Sequence, residues 1–96
     1  MALKTRPFDP AAYLETDEDI RHFLADAAEG SPEEFIHALN TVARAKGMTE
    51  IAKKAGVSRA SLYKSLAEGG KPRFDTINKV IKALDCKLTI EDAAIQ

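Results

Sequence analysis

Arg59, Ala60, Tyr63 and Lys64 fall at a spacing that puts them on one side of a single α-helical stretch, "SRASLYKSL". At about 100° per residue, Leu62 and Leu66 define the inner side of that stretch. Ala60 and Lys64 then project outward, with Arg59 and Tyr63 on one flank and Ser61 on the other. Such a face is small at its centre and cationic or hydrogen-bonding around it. Its chemistry is recognition. Arg and Lys donate to guanine acceptors in a major groove, and an Ala methyl fits against the thymine methyl. Thr49, Lys53, Ser58, Ser61, Lys71 and Arg73 lie around it in sequence and supply groups suited to phosphate oxygens, with Lys54 beside them. The first N–H groups of a helix starting at Ser58 suit the same oxygens.

Other residue types that do chemistry are present without the company that chemistry needs. His22 and His37 sit beside apolar helical positions, and no Cys or close acidic pair completes a metal cluster around them. Asp17, Glu18 and Asp19 open a helix, where the dipole accounts for three acids in a row. Ser58 and Ser61 have no His or Lys placed to activate them, and capping explains Ser58. The "EGG" around Gly69 lacks the strand and the Lys-Ser/Thr of a nucleotide phosphate loop. No catalytic constellation, metal site or cofactor is expected, and the chain reads as a non-enzyme.

The reading face requires two short helices meeting at a steep angle. Ala52 allows the backbones to approach, Gly56 supplies the positive φ of the turn, Val57 plugs the corner and Ser58 caps the second helix. Ile51, Ala55, Leu62 and Leu66 anchor both helices on the core side. Together these residues form a helix-turn-helix signature over residues 49–67. An ordinary αα-corner within a bundle would share the Gly and the cap, but would not need the cationic outer face.

Around the corner the chain supplies further helices. Ile20, Phe23, Leu24 and Ala27 give an amphipathic helix from about Asp17 to Gly30. "SPEEF" is a helix start, with Ser31 as cap, Pro32 at the first position and Glu34 closing a capping box. Phe35, Leu39, Val42 and Ala43 line that helix up to Gly47. Asp75 is expected to cap a final helix with Ile77, Val80, Ile81 and Leu84 inside. "CKLTIE" alternates and reads as a short strand at about 86–91, needing a partner from the N-terminus or a second copy. Residues 1–15, with Pro7 and Pro10, read as an extended arm, leaving 16–96 as one domain.

Composition agrees with a small soluble domain. Apolar residues make up 45% and charged residues 30% of 96 residues. The single Cys86 excludes an internal disulfide and a thiolate-rich zinc site, and no apolar run crosses a bilayer, so the cytoplasm is the expected location. The net charge of −1 hides an asymmetry. Residues 1–40 carry three Lys/Arg against nine Asp/Glu, and residues 41–96 carry eleven against six. One face for a polyanion and another for a different partner follow from that split.

The stretch "TEIAKKAGVSRASLYKSLAEGGKPRFDTINKVIKALDCKLTIE" resembles the phage-repressor-type helix-turn-helix. More closely it resembles the addiction-module antidotes, antitoxins of type II toxin–antitoxin pairs. The likeness continues upstream through "FIHALNTVARAKGMTEIAKKAG" and "FDPAAYLETDEDIRHFLADAA". The resemblance implies an all-α fold with a five-helix repressor-like core, autoregulation of the operon, and a small basic, mRNA-cleaving toxin as partner. It places base-reading positions on Arg59, Ala60 and Lys64. Met48 stands where phage repressors often carry a bracing Gln, so that contact would pass to Thr49 or Lys53. The expected working form is a homodimer on double-stranded operator DNA, because twofold pairing spaces two reading helices one DNA turn, roughly 34 Å, apart. Two other readings share these residues: a stand-alone repressor without a toxin, and a protein-interaction module in which the corner only builds a bundle.

Overall fold

The computed structural model describes residues 14–93. Five helices follow in order: α1 (Asp17–Ala28), α2 (Pro32–Lys46), α3 (Met48–Ala55), α4 (Arg59–Leu66) and α5 (Phe74–Ala83). The fold is all-α. Most of the proposed arm lies outside the described residues; of its end, Leu14 packs against the core.

Local chemistry explains where the helices begin. At α1, Thr16 Oγ1 accepts from Asp19 N–H at 3.0 Å, and Asp19 Oδ2 accepts from Thr16 N–H at 3.1 Å, a reciprocal capping box. Ser31 and Glu34 form the same pair at α2, behind Pro32 at its first turn. Between α1 and α2 a further tie comes from Lys46 Nζ, 3.6 Å from Asp17 Oδ1. The last turn of α2 therefore lies beside the first turn of α1, and the two run antiparallel.

Neither α3 nor α4, at eight residues each, holds together alone. Burial holds them: Ile51 and Ala52 of α3 and Leu62 and Leu66 of α4 are all nearly or fully inaccessible. Leu39, Val42, Val80 and Ile81 complete the centre, with Leu24 and Ile20 closing it from α1. α3 packs on α2, α4 and α5, and α2 packs on α1, α3 and α4.

Two expectations are corrected here. The helix α5 takes Arg73 as its N-cap, without a side-chain hydrogen bond, and Asp75 sits inside the first turn. The Asp75 carboxylate instead accepts from Arg73 Nε at 3.2 Å, so it does not serve as the cap. The strand at 86–91 does not form: no strand occurs among the described residues. Alternation gives that segment two faces, but a strand also needs a second strand's N–H and C=O groups, and the described part of the chain offers none.

Candidate nucleic-acid interface

The corner between α3 and α4 is built on Gly56, which adopts φ 75°, ψ 30°. This left-handed geometry lets Val57 N–H return to the Ala52 carbonyl at 3.0 Å, closing the end of α3. Val57 then packs on the core, and Ser58 Oγ accepts from Ser61 N–H at 3.0 Å to open α4. Three residues thus turn the chain and cap the next helix.

With Leu62 at 0% and Leu66 at 1% exposure holding α4 from inside, its other side faces solvent. Arg59, Ala60, Tyr63 and Lys64 are all exposed. The Arg59 guanidinium lies 5.7 Å from the centroid of the Tyr63 ring, a cation–π distance that lays it along the helix surface. Tyr63 remains 48% exposed. Its flat ring and the cation beside it form one continuous edge next to Ala60 and Lys64.

The electrostatics of α4 differ from those of its neighbours. The first turns of α1, α2, α3 and α5 each carry an acidic residue, which suits the positive end of the helix dipole. The first turn of α4 carries none and begins with Arg59. A cation there is unfavourable to the isolated helix. It becomes favourable when an external anion meets the same N–H groups.

The six residues expected at phosphates are exposed too, though they are not all gathered together. Ser58 and Ser61 line a cleft of about 320 Å³ with Val57, Leu62, Ser65 and Thr76. Ser65 and Thr76 were not picked out by the sequence. Thr76 lies far along the chain from Ser58, and only the tertiary fold brings it to the same cleft. Thr49 and Lys53 occupy solvent-facing positions on α3, and Met48 is buried, so its side chain makes no bracing contact outward. Arg73 is partly engaged by Asp75, leaving the rest of its donor fork free. Lys71 borders a different groove, where Asp26, Glu33, Glu34 and Glu68 rim apolar Phe23, Ile36 and Ile77. Of the ten residues, Lys71 therefore has the most distinct surroundings.

Nothing in the geometry resembles a metal centre: among the described residues no group of three or more His, Cys, Asp or Glu could hold a metal ion. His22 is exposed beside Glu18, and His37 lies on the surface of α2. No described helix is long and apolar enough to cross a membrane.

Comparison with known proteins adds a family. The pattern of the family described as "Probable addiction module antidote protein" matches residues 4–92. The chain belongs to that family. It is also 37% identical over 94 residues to an uncharacterized protein of Haemophilus influenzae, covering 97% of each chain. No solved structure matches. As a member of an antidote family, the chain carries at its α3–α4 corner an exposed cationic face that core packing does not explain.

Proposed function

We propose that this protein is a DNA-binding antitoxin that represses its own operon and neutralises a small basic toxin by direct binding in the cytoplasm. In this reading α3 and α4 form a helix-turn-helix, and α4 enters the major groove as the recognition helix. Arg59, Ala60, Tyr63 and Lys64 meet base edges, while Thr49, Lys53, Ser58, Ser61, Lys71 and Arg73 meet phosphates. It acts as a homodimer on double-stranded operator DNA, uses no cofactor and catalyses nothing.

The observation that carries the reading is the outward side of α4: a small residue flanked by Arg59 and Lys64, at a helix start without an acid. A corner that served only to build a bundle has no use for that arrangement. The antidote family supports the toxin partner. The first forty residues, with nine Asp/Glu against three Lys/Arg, carry the charge that a basic partner would complement.

A mobility-shift titration with the protein's own upstream DNA at two salt concentrations tests the DNA part. A specific shift that weakens steeply with salt is expected. Absence of both the shift and the salt dependence would leave only a protein-interaction module. Co-purification with the product of the neighbouring reading frame separates an antitoxin from a stand-alone repressor.

A further inference from the structure

The groove bordered by Lys71 has room and chemistry that the DNA reading does not use. The second half of α1, the first turns of α2, the link from α4 to α5 and Ile77 of α5 border a volume of about 1,150 Å³. A small-ligand pocket holds roughly 300–1,000 Å³. This groove instead matches roughly three turns of a helix about 10 Å across. Its apolar lining includes Phe23, Ile36 and Ile77, which pack on the core yet stay only partly buried. Phe74 lies one turn before Ile77 on the same side of α5 and is 69% exposed. Apolar side chains left partly in water favour a partner that covers them.

Charge says what kind of partner. Asp26, Glu33, Glu34 and Glu68 stand at the groove against one cation, Lys71. Glu34 is engaged by the Ser31 backbone in the capping box. No ion pair among the described residues uses Asp26, Glu33 or Glu68, and all three are exposed. Such a rim repels phosphate, whether of a nucleic acid or of an anionic bilayer, and attracts Lys and Arg. The occupant must also satisfy its own backbone, because no strand among the described residues offers an edge for an extended peptide to join. A helix does so by itself.

We infer that this groove docks a basic amphipathic helix of the toxin partner. The apolar ridge of that helix sits on Phe23, Ile36, Ile77 and Phe74, and its Lys or Arg side chains meet Asp26, Glu33 and Glu68. The inference rests on the antitoxin reading for the owner of the helix and adds the surface that receives it. Apart from Lys71, none of the proposed DNA contacts lines the groove, so toxin and DNA take different surfaces.

Chemical-shift titration of the full chain with synthetic helices tests the groove without the toxin. One probe carries Leu on one face and Lys on the other; its control carries Glu in place of Lys. The Lys peptide should bind saturably with changes centred on Phe23, Ile36 and Ile77, and the Glu peptide should not. Glu33→Lys combined with Glu68→Lys should weaken the Lys peptide about ten-fold, with the helical circular dichroism unchanged. Glu15→Lys combined with Glu18→Lys, at the other end of α1, should leave its affinity as it was. A Lys peptide that bypasses the groove, or equal binding of both peptides, would overturn the proposal. So would groove shifts that follow protein concentration alone, since they would give the surface to a second copy. The product of the neighbouring reading frame is then titrated into the same variants. If it binds the unmodified chain and the rim variant equally, the groove assignment falls and the antitoxin reading stands. If it binds neither while the Lys peptide seats in the groove, the antitoxin reading falls and the groove keeps its basic helix.

Discussion

Arg59 is the residue whose position asks most for an explanation. It places a cation at the positive end of α4 and stacks it on Tyr63, where a helix start ordinarily carries an acid. Contact with a nucleic acid reverses the sign of that penalty. Arg59→Ala and Lys64→Ala should each cost about 1–3 kcal/mol of operator binding and relax sequence preference. Lys71→Ala should weaken all sequences alike and flatten the salt slope; anisotropy titrations against matched and scrambled duplexes measure both. Asp19 carries a separate prediction. The Thr16 N–H bond, aided by that from Glu15, holds its carboxyl below the ordinary carboxylate range. A folded-state pKa lower than the unfolded one adds stability above the unfolded value, and that stability is lost as the pH falls toward the folded one. Acid should therefore loosen the start of α1. Asp19→Asn should remove that part of the pH dependence, read as amide exchange at residues 17–20 across the acid range.

The helices were legible in the sequence to different depths. Ser31, Pro32 and Glu34 state a helix start in local chemistry alone, and α2 begins there. Gly56 and Ser58 likewise mark the end of α3 and the start of α4. Asp75 misled, because a helix-start acid can accept from its own backbone or from a neighbouring cation, and Arg73 two residues earlier offered the cation. The tail misled differently: alternation at 86–91 fixes faces but cannot say whether a pairing strand lies within the chain. Thr76 was invisible beside Ser58 because their proximity is tertiary. At this scale the corner is the element to break. Gly56→Ala meets open space but must hold a left-handed backbone, and should cost about 1–2 kcal/mol of stability. Ser58→Ala removes the α4 cap for about 1 kcal/mol. Thermal unfolding measures both.

At the scale of the whole molecule, charge divides the chain along its length. Its acidic opening carries α1 and the first turns of α2, and its basic stretch carries the corner. Both halves share one core, so the proposed reading face depends on residues that never leave the interior. Leu62 is fully buried beneath that face, and Leu62→Ala should cost about 2–5 kcal/mol of stability by chemical denaturation. Operator binding should fall with it, though no contact to DNA is removed. The central claim is that the solvent side of α4 enters a duplex groove. Amide chemical-shift mapping, with the upstream duplex titrated into labelled protein, tests this most directly. The largest changes should fall on Arg59 to Lys64, with smaller ones at Ser65, Thr76 and the α3 surface. Changes centred on α1 and the opening of α2, with α4 unmoved, would contradict the account.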